Sequence, residues 1–476
     1  MINIYALTDS HQECRNLSRV LSGIYNYEKN NNTPFLVLDS GDLFKGIYDK
    51  KLSVDSYLTF KKLLPCAQIV ITLGNNDFGF NKTDFEFLKN TISVFKKAGI
   101  NFVCSNLVND KDNKYSDFVP QYKILNINGE KILITGCCVN NSCAKKFGYS
   151  LISPIEAIRD LKKTVKNQDY DKMIVLNHHW YPYSLELKKI HPDIDLVIGG
   201  HEHSKINPDY ENNIFYPLSF ARSIYKMTLD NNFTDIKEVL TENLTFVPEF
   251  EEPVIKYEKA IGLNEPVAKR VLNLTKQYSQ PCPLGTFISD SMKKCANTDI
   301  AFHSTGFTMA QLKLADSDII TKYDIEKVIC GACPIEKIEI NTEQLKQVFQ
   351  NATKFRMFKN RGNSRFVQCS KNVIVTGKEN PQENTYQILQ ISIDGVDLLD
   401  EKGNPKNYDK KYSCAIDSYI GAGEQGFEVL KDIPKEKILK NAQPVFLNEL
   451  FCNALIEAEH EYKIPQEYYC WKIIDI

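Results

Sequence analysis

Five short apolar runs in the first half of the chain each lead into side chains suited to holding a metal ion. INIYAL leads into Thr8-Asp9-Ser10-His11, FLVLDS into Gly41-Asp42, and QIVITL into Gly74-Asn75-Asn76-Asp77. KMIVL leads into Asn177-His178-His179, and DLVIGG into His201-Glu202-His203. Each run reads as a buried strand. A parallel sheet presents its functional groups beyond the carboxyl ends of its strands, so five such ends deliver Asp, His and Asn into one crevice. That is the ligand set of a two-metal centre.

The residue types fit the task one by one. Asp9 and His11 lie two apart at a strand end, so both can face one cavity where the strand turns out. Asp42 follows a glycine that permits close approach, and a carboxylate can bridge two cations about 3.5–4 Å apart. Asn75 offers a neutral amide oxygen. His178, His201 and His203 add the nitrogens preferred by Mn, Fe, Zn or Co. The chain has 8 histidines. Five of them fall in these motifs, which scattered structural histidines would not do.

With 476 residues the chain exceeds one ordinary core, and two domains are expected. A net charge of -2 makes no electrostatic case for a nucleic-acid polymer or a membrane surface as partner. The first strand begins at Ile2 with no basic and apolar leader before it, and no apolar run reaches the length of a membrane span, about 18 residues. The expected location is therefore cytoplasmic. The 14 cysteines are scattered and several, such as Cys104, Cys137 and Cys138, sit inside apolar runs. They read as reduced core thiols. Cys330 and Cys333 have redox-like spacing without a second pair, so they read as two thiols of a loop.

Residues 1–245 alternate strands with helical stretches, among them DSYLTFKKLL, DFEFLKNTISVFKKA and SPIEAIRDLKKTV, where Ser153-Pro154 reads as an N-cap and first-turn proline. Asn128-Gly129 is a type I′ hairpin signal, and IFYPLSFARSIYKMTLD reads as a second hairpin. Residues 246–265 are rich in Glu and Pro and read as a linker with room for a short helix. Residues 266–476 form a second α/β unit, with helices expected near 265–279, 284–296 and NTEQLKQVF, and strands at TDIAF, YQILQISID and YSCAID.

The order D-x-H, GD, GN-x-D, His, GHxH resembles the calcineurin-like metallophosphoesterases. PLGTFISDSMKKCANTDIAFHSTG, SDIITKYDIEKVI and YSCAIDSYIGAGEQGF resemble, by their order, the second domain of the 5′-nucleotidase family. The resemblance covers nearly the whole chain. It implies a four-layer α/β/β/α metallophosphoesterase sandwich with a second, α/β substrate-selecting domain. It also implies two divalent metal ions (Mn, Zn, Fe, Co or Mg). Asp9, His11, Asp42 and His203 would hold one, and Asp42, Asn75, His178 and His201 the other. The implied reaction is hydrolysis of a small phosphate ester, a nucleotide or another, by hydroxide held at the metals and attacking phosphorus. His178 would neutralise charge on the phosphoryl oxygens.

Two departures from the family bear on catalysis. A histidine usually follows the metal-binding Asn, oriented by an Asp three residues later; here Asn76 and Gly79 stand there. Asn76 can donate a hydrogen bond but carries no proton or charge, which favours diesters or activated esters. His179 either substitutes or has only a supporting role. In the second domain Thr308 stands at an arginine position, and of two ring positions only Phe427 is aromatic, the other being Gly331. Phe427 is either a stacking surface or core. Arg356, Arg361 and Arg365 either clamp substrate or form a solvated basic loop. The rival function is a catalytically weakened metal-binding or ligand-binding protein of the same fold.

Overall fold

The computed structural model describes residues 1–79, 81–140, 142–277, 279–329, 333–353, 366–380, 385–462 and 464–475. They form two compact units, Met1–Glu258 and Lys259–Ile476. The first unit stacks two mixed sheets. One holds the parallel strands Ile2–Leu7, Phe35–Asp39, Ala67–Thr72 and Ile100–Val103, extended antiparallel by Ser223–Asp230 and Asn232–Leu240. The other runs Ile214–Phe215, Leu196–Gly200, Lys172–His178, Glu130–Cys138, Tyr122–Ile127.

Strand alternation sorts each apolar run onto two buried faces. Ile4, Ala6, Leu36, Leu38 and Val70 meet Ile132, Ile134, Ile174, Leu176 and Ile198 between the sheets. Tyr5, Val37, Ile69 and Ile71 face outward onto Leu17, Val20 and Leu21 of helix Cys14–Glu28 and Tyr57 and Phe60 of helix Lys50–Leu63. On the far side Leu133, Met173, Val175 and Val197 pack on Ile158 and Leu161 of helix Pro154–Thr164. The result is the expected α/β/β/α sandwich. Register then aligns the site. Leu7, Asp39 and Ile71 lie abreast in one sheet, and Cys138, His178 and Gly200 in the other. The loops that follow leave the sheets side by side.

Ile127 pairs with Glu130 across Asn128 (φ 53°) and Gly129 (φ 91°), the two left-handed residues of a type I′ turn. The second expected hairpin does not form: Ile214–Phe215 joins one sheet and Ser223–Asp230 the other. Left-handed Phe220 and Ala221 turn the chain between the sheets, and the hairpin forms instead with Asn232–Leu240 about Asn231. The Ser153 side chain makes no capping hydrogen bond. The stretch 246–265 contains the helix Pro248–Ala260, whose Phe250 joins the first unit's core.

In the second unit a five-stranded sheet separates two cores. Ile300, Phe302, Ile338, Cys414 and Ile416 face Leu345, Val348 and Phe349 of helix Thr342–Thr353. Ala301, Ile335 and Ala415 face Leu284, Ile288 and Met292 of helix Pro283–Ala296. The helix expected at 265–279 is replaced by the strands Pro266–Lys269 and Leu272–Asn273, paired with Ile319–Thr321 and Gln466–Glu467. These long-range ladders outweigh a locally helical spacing. Among the described residues no helix is long and apolar enough to cross a membrane, and every described cysteine is free.

Candidate metal centre

Beyond the aligned strand ends the first unit gathers two triads of ligand atoms, Asp9-His11-His203 and Asp42-His178-His201. Asp42 Oδ2 stands 3.5 Å from His11 Nε2 and 3.2 Å from His178 Nε2, so one carboxylate oxygen faces both groups. Asp9 Oδ1 lies 3.7 Å from His11 Nε2 and 3.4 Å from His203 Nε2. The amide oxygen of Asn75 is 3.2 Å from His178 Nε2. Asp9, Asp42 and His178 are fully buried. Anionic, amide and imidazole donors converging in a buried pocket are chemically suited to divalent cations, and poorly suited to remaining there without them.

The backbone is strained to achieve this. Asp9 (φ 46°), His11 (46°), Asp42 (56°) and His201 (70°) are all left-handed, a conformation costing non-glycine residues about 1–3 kcal/mol each. Close backbone approach is also needed. A Cβ on Gly74 would lie 2.2 Å from Asp42 N, and one on Gly200 would lie 2.8 Å from His178 Nδ1. The Nδ1–H of His178 donates to the Ser40 carbonyl at 2.7 Å, which leaves the Nε2 lone pair directed at the Asp42 group. The His201 amide donates to Asp9 Oδ2 at 2.9 Å.

Several organising residues escaped the sequence reading. Asp77 accepts hydrogen bonds from the amides of Gly74 (2.7 Å), Phe44 (3.0 Å) and Asp42 (3.1 Å), tying the Asp42 loop to the Asn75 loop. Only its position in the GN-x-D pattern hinted at this. Phe220 packs on the rings of His11 and His203 at 5.4 and 5.3 Å, and Trp180 on His201 at 4.5 Å. Neither carried a sequence signal.

Charge in the pocket is shared between carboxylates and imidazoles. Burial works against ionising His178, but the Asp42 and Asp9 carboxylates carry it up to about 10. Burial also works against Asp42, and His178 and His11 hold it below the usual carboxylate range. Burial, reinforced by His178, pushes His201 down to about 3. A proton on His178 and a divalent cation would compete for the same carboxylates.

The remaining candidates fall elsewhere. Asn76 turns into the centre, its amide N–H donating to Asp42 Oδ2 at 2.6 Å. His179 is engaged away from the Asp42 group: its ring lies tilted against Tyr183 at 4.1 Å, its Nδ1 accepts the Trp180 amide, and burial pushes it down to about 4. Thr308 is buried and donates to the Thr305 carbonyl at 3.0 Å. Arg356, Arg361, Arg365, Gly331 and Cys330 lie outside the described residues. Phe427 is fully buried with Ile420 and Leu430 in the second unit's core, so its ring presents no face for stacking. Phe427→Leu is accordingly expected to cost about 1–2 kcal/mol in denaturant unfolding, with no change in nucleobase preference. A changed base preference at unchanged stability would contradict this.

The family model for calcineurin-like phosphoesterases matches residues 2–205, and that for the 5′-nucleotidase C-terminal domain matches residues 260–432. An apyrase of Aedes aegypti is 23% identical over 447 residues, covering 83% of this chain and 76% of that protein. The trifunctional nucleotide phosphoesterase YfkN of Bacillus subtilis is 22% identical, covering 90% of this chain and 32% of its own length. Among solved structures, a 5′-nucleotidase precursor from Thermus thermophilus aligns with a TM-score of 0.78 at 16% identity over 100% of this chain and 99% of that one. The Thermus sulfate thiohydrolase SoxB aligns at 0.72 with 13% identity, covering 97% and 82%. Neighbours with such different names share the fold, so the fold by itself leaves the substrate open.

Proposed function

Because this chain belongs to the 5′-nucleotidase family as a divergent member, a calcineurin-like phosphoesterase domain followed by a 5′-nucleotidase C-terminal domain, we propose that it hydrolyses small phosphate esters at a binuclear metal centre. The observation carrying this reading is the single Asp42 oxygen that faces both histidine groups. Asp9, His11, His203 and Asp42 would hold one ion; Asp42, Asn75, His178 and His201 the other. Divalent ions bound there supply Lewis acidity and lower the pKa of water toward neutrality. The protein does the rest by positioning. Ser40 fixes the His178 tautomer, Asp77 fixes the loop that carries Asp42, and the Asn76 amide is placed to donate a hydrogen bond to a substrate oxygen. Free, mostly buried thiols support a reducing compartment as its place of action.

Asn76 sets the expected substrate preference. An amide cannot give a proton to a poor leaving group, so aryl esters or diesters are expected to turn over at least about tenfold faster than alkyl monophosphates. The test is a screen of phosphate esters with added Mn or Co, with elemental analysis expected to find about two divalent ions per chain. Absence of bound transition metal after supplementation would remove the binuclear reading. Faster turnover of AMP than of any aryl ester would remove the role given to Asn76. A second reading, a metal-binding protein with weakened turnover, is favoured by Gly79. A Cβ there would lie 2.1 Å from Asp84 Cβ, leaving no room for an orienting side chain. Failure to hydrolyse even an activated diester while two ions are bound would support it.

A further inference from the structure

A cavity of about 120 Å³ has Lys45, Lys50, Asn76, Gly79, Asp84 and Phe87 on its wall. At about 30 Å³ per water it has room for about four waters, or for one tetrahedral oxyanion. Asn76 is common to both spaces, since its amide also reaches Asp42.

The cavity is built rather than incidental. Lys50 Nζ donates to Asp84 Oδ1 at 2.7 Å and lies 4.5 Å from the centre of the Phe87 ring. The Asp84 amide in turn donates to Asn81 Oδ1 at 2.9 Å, fixing the residue at the start of helix Lys82–Lys97. Asp84 takes the space that a side chain at position 79 would need, its Oδ2 only 3.1 Å from where a Gly79 Cβ would stand. The loss of a side chain at 79 and the presence of a clamped lysine are thus one structural arrangement. The carboxylates on the wall are engaged: Asp77 with three backbone amides, and Asp84 with one donor of Lys50. An ammonium group has three donors, so Lys50 keeps others. Lys45 is held at φ 71° and directly follows Phe44, whose carbonyl lies 3.3 Å from His11 Nδ1.

We propose that this cavity is an anion subsite, in which Lys45 and Lys50 bind a second phosphate group of a substrate whose first phosphoryl group sits at the Asp42 centre. The proposal rests on the phosphoester-hydrolase reading for the placement of that first group. It gives the substrate class as compounds with two linked phosphates, bound by point charges that favour oxyanions without demanding a nucleobase.

Calorimetric binding of orthophosphate and pyrophosphate to the full chain, with free Mg²⁺ held constant, tests it without requiring turnover. The wild type is expected to bind pyrophosphate at least tenfold more tightly than orthophosphate. Lys45→Ala and Lys50→Ala should each reduce that ratio three- to tenfold with orthophosphate affinity within twofold, and Lys50→Arg should largely keep it. Equal affinities in the wild type would overturn the proposal, as would alanine variants that weaken both anions alike. A lysine-dependent pyrophosphate preference in a protein that hydrolyses no ester would keep the subsite and remove the hydrolase reading. Ester hydrolysis without that preference would do the reverse.

Discussion

Asp42→Asn is expected to lower bound metal from about two ions per chain to one or none, and kcat/KM by at least about 10³-fold. The reason is geometric. One Asp42 oxygen faces His178 at 3.2 Å and His11 at 3.5 Å, from opposite triads. An amide at this position presents to both groups either a single neutral oxygen, with its N–H₂ then set against the Asn76 backbone N–H, or the N–H₂ itself. The second Asp42 oxygen already accepts the Asn76 backbone amide at 2.7 Å, so the amide cannot rotate to rescue both roles. Elemental analysis beside steady-state rates on an activated ester checks both quantities. Unchanged metal content and rate would exclude Asp42 as a shared ligand.

Asp77→Ala should be nearly as damaging, through the scaffold rather than the ligands. Three backbone amides, of Asp42, Phe44 and Gly74, donate to a carboxylate that is almost wholly buried. Burial, and then the Asp42 charge, raises this carboxyl to about 7. Cations bound at Asp42 would offset that repulsion and favour the charged acceptor. Removing it leaves buried donors without partners, at a cost of about 3–5 kcal/mol. The Asp42 and Asn75 loops would lose their common tether, and metal affinity is expected to fall about 10–100-fold. Urea unfolding with and without chelator separates the two effects. Asp77→Asn, which keeps one acceptor oxygen, should fall between. A variant as stable and as metal-loaded as the wild type would show that the tether is dispensable.

The convergence of these Asp, His and Asn side chains was legible in the sequence because it is set locally. Each ligand follows its strand by only a few residues, so an apolar run with period two and a terminal Asp or His could be read together. Parallel pairing then aligns the strand ends without further information. The organising residues were less visible. Asp77 looks like any loop aspartate until its carboxylate meets amides from two different loops, and Phe220 comes from the segment that crosses between sheets. Phe427 was left open between a stacking surface and core. Its motif drew attention to it, while its surroundings, Ile420 and Leu430 among them, place it in a core.

Period, turn chemistry and side-chain identity are short-range properties, and from them alone follow a layered α/β fold, the candidate ligand types, and the absence of a titratable group at Asn76; the four-layer sandwich came from the family resemblance. Long-range packing settled that Ile214–Phe215 and Ser223–Asp230 enter different sheets, and that residues near 265–279 become strands. It also settled that Asp84 from a separate helix fills the space at Gly79 and holds Lys50. These outcomes depend on ladders and contacts between residues far apart in the chain. Their free energies outweigh local preference, and nothing in the order of neighbouring residues encodes them.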